Sequence, residues 1–125
     1  MKQTGNIVDA KAQQFPVVTN DATILIVDDD PGMRRILHRV LRSAGFHCLI
    51  AANGQEMRER LYASDVDLVL LDVMMPGESG FDLCQSLRDR DEDPVPVIMI
   101  SARGDPGDQA IGLELGADDY IAKPF

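Results

Sequence analysis

The feature that most constrains this chain is a repeated change of hydrophobic period. Short apolar runs, "TILIV" (23–27), "FHCLIAA" (46–52), "DLVLL" (67–71), "VIMIS" (97–101) and "DYIA" (119–122), alternate with stretches whose apolar residues recur at helical spacing. The runs are rich in β-branched residues and apolar at consecutive positions, as expected for strands buried on both faces. Between the first two, Met33, Ile36, Leu37, Val40, Leu41 and Ala44 form one helical stripe, and Arg34, Arg35, His38, Arg39 and Arg42 take the opposite face. Asp30 is placed to cap that helix, Pro31 suits its first turn, and Gly45 suits the position just past its end. Further helices are predicted over 54–63, over 80–90, and from Asp105–Pro106 to Gly116. Strands and helices alternating at this scale predict an α/β domain, a parallel sheet with helices on both faces.

The remaining composition bounds the function. A chain of 125 residues suits one domain with one core, and no apolar run approaches the roughly 18 residues that a membrane span needs. A formal charge of −9 disfavours direct contact with nucleic acid, whose binding relies on basic side chains. Cys48 and Cys84 lie far apart with no metal-binding spacing, and they read as buried free thiols in a reducing cytoplasm. Residues 1–21 have no apolar core of a signal peptide and are expected to be a flexible tail, with the folded domain spanning 22–125.

In open parallel sheets, ligands bind beyond the carboxyl ends of the strands. Asp28 and Asp29 follow the first strand, Asp72 ends the third, Ser101 ends the fourth, and Lys123 lies just past the fifth. Three carboxylates gathered there repel, each close pair by about 4 kcal/mol at 4 Å and an effective dielectric near 20. A hard divalent cation such as Mg2+ offsets that repulsion through oxygen ligands, and Lys123 adds a point charge suited to a phosphoryl oxygen. With the Ser101 hydroxyl as a donor, the set predicts a phosphoryl site in which a carboxylate is the nucleophile. Taken singly, each residue has a plainer reading. "DDD" at 28–30 is a helix-capping cluster, Asp72 a turn residue, Lys123 a surface lysine, and the basic face of the first helix either solvated or a docking surface. The joint placement is what favours chemistry.

At these residues the chain closely resembles the receiver domain of two-component response regulators, within the OmpR/PhoB class. The matching stretches are "ILIVDDDPGMRRIL", "LVLLDVMMPGESGFDLCQSLR", "VIMISARG" and "GLELGADDYIAKPF". The resemblance implies a flavodoxin-like, doubly wound five-stranded parallel sheet of order 2-1-3-4-5. It implies that Asp72 accepts a phosphoryl group from a sensor histidine kinase. It assigns Mg2+ to Asp29, Asp72 and the backbone carbonyl of Met74, with Asp28 acting through water. It also makes Ser101 the switch hydroxyl, Tyr120 the aromatic switch and Lys123 the phosphate-pairing lysine, with a Lys123–Pro124 bond that is usually cis. Ser101 stands where the family more often has Thr. Met74 and Arg103 occupy the positions that border the path of attacking water, and neither is a good base, which predicts slow self-dephosphorylation.

A parent protein of this class would carry a winged-helix DNA-binding domain and form a homodimer. Receivers normally continue into a fifth helix that covers the same sheet face as the first. Its absence from the chain predicts that one flank of "TILIV", "DYIA" and the stripe Met33, Ile36, Val40 lies open, unless "FPVV" (15–18) or a second copy covers it. Two rivals fit less well. A haloacid dehalogenase-type phosphatase needs a second acid two residues after Asp72, where this chain has Met74. A flavodoxin-like cofactor module needs phosphate-cradling hydroxyls and glycines after the first strand, where this chain has three carboxylates.

Overall fold

The computed structural model describes residues 21–89, 95–101 and 106–123. In chain order the elements are β1 (Thr23–Val27), α1 (Pro31–Ser43), β2 (His47–Ala51), α2 (Gly54–Ala63), β3 (Leu68–Asp72), α3 (Gly80–Asp89), β4 (Val97–Ser101), α4 (Pro106–Glu114) and β5 (Asp119–Ala122). All five strands pair in parallel, in the order β2-β1-β3-β4-β5. This is the flavodoxin-like arrangement. Strand order reverses at β1, where the chain crosses from one half of the sheet to the other.

Local chemistry explains the boundaries. The Asp30 carboxylate accepts from the Gly32 amide at 2.8 Å and caps α1, with Pro31 at its first position. At the other end Gly45 takes φ 97°, and the amides of Phe46 and Gly45 return to the carbonyls of Leu41 and Arg42. That pair of bonds is a Schellman closure, and the left-handed residue in it favours glycine. α2 is held by Asn53, which accepts from Glu56, and by Glu56, which accepts from Ala52.

The period of two along each strand divides the core. Leu25, Val27, Val69, Leu71 and Met99 join Met57 of α2, Leu83 and Leu87 of α3, and Tyr120 on one face. Ile24, Ile26, Leu70 and Ile100 meet Leu37 of α1 on the other. The expectation that "TILIV" would lie open is corrected: Ile24 and Ile26 are 4% and 0% exposed, because α1 lies over them through Leu37. The expected exposure holds farther out, at Ile36, Val40 and Ile121, which border an apolar groove of 540 Å³. Met33 is half-buried. Cys84 is buried as expected, whereas Cys48 is only half-buried; burial raises both thiols. The expected start of α4 at Asp105, the segment "FPVV", Arg103 and Pro124 lie outside the described residues. Among the described residues no helix is long and apolar enough to cross a membrane.

Candidate functional site

Because the strands run parallel, their carboxyl ends share one edge, and the chain has placed its acids there. Asp28 follows β1, buried to 1% exposure, while the next residue, Asp29, is exposed. Asp72 is the last residue of β3 and is 4% exposed. One carboxylate oxygen from each of these three residues lies within 4.8 Å of the other two. Ser101, wholly buried, closes β4. The Lys123 amide donates to the Ser101 carbonyl, extending the β4–β5 ladder by one step and delivering the lysine side chain to the acids.

Lys123 Nζ lies 3.1 Å from Asp28 Oδ2 and 3.5 Å from Asp72 Oδ1. The other oxygen of Asp28 accepts from the Asp30 amide at 2.9 Å, and Asp72 Oδ1 receives the Met74 amide at 3.4 Å. Burial pushes the Asp72 carboxyl up to about 6, the charge of Asp28 adds to the rise, and Lys123 opposes it. Burial alone would lower the Lys123 ammonium. Its hydrogen bond to Asp28 and the charges of Asp72 and Asp28 outweigh that and hold it above its ordinary value.

Among the described residues, three carboxylates therefore face a single ammonium. The mismatch leaves room for further positive charge, and the donors are all hard oxygens. That fits Mg2+, which prefers such ligands and keeps several waters. Asp28, Asp29, Asp72, Ser101 and Lys123 thus gather at one edge as the sequence predicts. Met74, second in the loop after β3, is 54% exposed, and its main-chain amide is what faces Asp72. Tyr120 is buried in the core beside Met99, with Gly112 of α4 passing close to its ring.

Sequence reading missed Arg34. Assigned to the polar face of α1, it reaches back six residues to donate to the Asp28 carbonyl at 2.7 Å, steadying the turn that presents the acids. Helical spacing alone gave no sign of it, since the contact depends on the path of the β1–α1 turn.

The model of the family described as response regulator receiver domain matches residues 24–125. The transcriptional regulatory protein GltR of Pseudomonas aeruginosa is 44% identical over 107 residues, which cover 85% of this chain and 44% of GltR. The DNA-binding response regulator MtrA of Mycolicibacterium smegmatis is 44% identical over 102 residues, 82% of this chain and 44% of MtrA. The chain thus spans less than half the length of these curated relatives. Among solved structures, the response regulator TrrA of Thermotoga maritima, in complex with Mg2+ and BeF, superposes with a TM-score of 0.73 at 32% identity, covering 83% of this chain and 88% of that one.

Proposed function

The chain belongs to the response regulator receiver domain family, and on that premise we propose that Asp72 accepts a phosphoryl group from the phosphohistidine of a sensor histidine kinase, with Mg2+ in the acidic pocket. The observation that carries this reading is the placement of Asp72: a buried carboxylate at a strand end, beside two other acids, with Lys123 Nζ 3.5 Å away. Asp29, Asp72 and the Met74 carbonyl would hold the ion, with Asp28 acting through a water. Bound there, Mg2+ would neutralise phosphoryl oxygens and lower their repulsion from the attacking carboxylate.

A carboxylate oxygen of Asp72 attacks phosphorus; the O–P bond forms as the N–P bond to the kinase histidine breaks, and the imidazole leaves with that electron pair. Lys123 pairs with one phosphoryl oxygen, and Ser101 donates its hydroxyl to another. These contacts exist only in the phosphorylated state, so they bias the equilibrium toward a second conformation, relayed through Ser101 and Tyr120. The family resemblance gives Met74 and Arg103 the two positions that modulate hydrolysis, and neither is a good base, so hydrolysis should be slow; Met74→Asn is expected to shorten the lifetime of the phosphorylated form in a decay assay. The receiver unit begins near residue 22, outside which residues 1–21 lie. In a longer cytoplasmic parent, acting as a homodimer, it would control transcription through a DNA-binding domain; the last two roles are those in the names of GltR, a transcriptional regulatory protein, and MtrA, a DNA-binding response regulator.

Intact mass after incubation with acetyl phosphate and Mg2+ tests the reading. The wild type is expected to gain one phosphoryl mass and Asp72→Asn none. A gain that survives in the variant would remove Asp72 from its role.

A further inference from the structure

The loop between β3 and α3, residues 73–79, leaves the site at Asp72 and carries Met74. Its base is closed by backbone: the Val73 amide donates to Ile100 at 3.0 Å, and the Gly80 amide donates to Val73 at 2.9 Å. Gly80 is required there, because a Cβ would stand 2.3 Å from the Asp72 carbonyl oxygen. Met75 turns inward to the core. The chain then reverses at Gly77, with φ 82°, a conformation that other residues adopt at a cost. Beyond that reversal Glu78 crosses to α2, where Arg58 grips it with both terminal nitrogens: Nη1 to Oε1 at 3.0 Å and Nη2 to Oε2 at 2.6 Å.

The two-point geometry distinguishes this contact from an ordinary surface pair. A guanidinium fork on a carboxylate fixes direction as well as distance. The receiving helix is firmly capped, by Asn53 and Glu56, and its first residue, Gly54, lies under Glu78; a Cβ at Gly54 would be 2.7 Å from Glu78 Oε1. The far side of the loop is therefore clipped to that helix while its near side leans on Asp72 through the Met74 amide.

We propose that Arg58 and Glu78 form a positioning clamp that sets the conformation of the β3–α3 loop and so orients the Met74 main chain beside Asp72. The inference rests on the phosphoryl-acceptor reading for its consequence, though the clamp itself belongs to the metal-free protein. Neither residue touches the reacting atoms. Both act through the loop.

The test compares Arg58→Ala, Glu78→Gln and the exchanged pair Arg58→Glu with Glu78→Arg. Amide hydrogen exchange at Met74, Gly77 and Gly80 is measured without metal, and Mg2+ affinity by calorimetry. Each single variant is expected to speed exchange and weaken Mg2+ by about three-fold, the scale of a well-formed exposed ion pair. High salt is expected to do the same to the wild type, and the exchanged pair to restore both. Unchanged exchange in the single variants would overturn the clamp. Faster exchange with unaltered Mg2+ affinity would overturn its link to the site, and loosening that the exchanged pair fails to reverse would overturn the ion-pair basis. Because exchange is read without metal or phosphoryl donor, its outcome is independent of whether Asp72 is phosphorylated.

Discussion

At the scale of single residues, the pocket places acids where they oppose one another, so its charge has a stability consequence. An unfolded aspartate titrates near 3.9, whereas Asp72 in the fold is pushed up to about 6. Between those values the folded protein binds more protons than the unfolded chain, so stability of the metal-free protein falls as pH rises through this window. The contribution is fully present below about 4 and gone above about 6. Asp72→Asn removes the buried charge, and urea unfolding in a chelator at pH 7.5 is expected to find the variant more stable, by on the order of 2 kcal/mol. At pH 4.5 most of that advantage should vanish; an equal advantage at both pH values would mean that Asp72 is not the titrating group. The neighbouring acids divide differently. Asp29 is exposed and available, while Asp28 is buried and holds both Lys123 and the Asp30 amide. Calorimetry is expected to show that Asp29→Ala weakens Mg2+ more than Asp28→Ala, whereas thermal melts should show the larger stability loss in Asp28→Ala, which strips Lys123 of its closer partner. Equal Mg2+ losses would count against this division.

At the scale of elements, the sheet edge is built by ladders and the helices are tied down by a few side chains. Arg88, at the end of α3, reaches three places at once. It donates to the Gly116 carbonyl at 2.8 Å and the Val95 carbonyl at 2.7 Å, and pairs with Asp118 at 3.1 Å, whose carboxylate also receives the Val97 amide. One fork thus fastens the end of α3 to the start of β4 and to the turn between α4 and β5. Gly116, with φ 105°, lies against its side-chain stem. Lysine keeps the charge but lacks the planar array of donors. Arg88→Lys is expected to cost about 1–2 kcal/mol in denaturant unfolding through hydrogen bonds left unmade. A cost within measurement error would show that water replaces those contacts freely.

At the scale of the whole molecule, an ion bound in the acidic pocket would be linked to folding. The acidic cluster draws its members from the ends of β1 and β3 and exists only when the sheet has formed, so an ion held there stabilises the fold by mass action. At an Mg2+ concentration 100 times its dissociation constant, the gain is about 2.7 kcal/mol. Thermal melts are expected to rise with Mg2+ and to rise much less for Asp29→Ala. Equal shifts in the two proteins would place the ion elsewhere.

The sequence by itself determined the elements and their order. Runs apolar at consecutive positions had to be strands, though only β1, β3 and β4 are buried on both faces and the edge strands β2 and β5 leave Ile50 and Ile121 exposed; the stripe from Met33 to Ala44 had to be a helix with one face inward; and the caps Asp30 and Gly45 act within a few residues of themselves. The same local logic placed Asp28, Asp72, Ser101 and Lys123 at strand ends, and a parallel sheet brings such ends together. Tertiary structure decided what depends on separations that no period encodes. The lysine is shared between two acids, 95 and 51 residues away in sequence. Tyr120, on the edge strand β5, is buried beside α4, and α1 shelters Ile24 and Ile26 while leaving Ile36 and Val40 exposed. Helical spacing puts Arg34 on a polar face, solvated or docking, and assigns Arg58 no partner, because a surface arginine and a bridging one have the same sequence signature. Only the path of the intervening loop sets whether a carbonyl or a carboxylate lies within reach of the guanidinium.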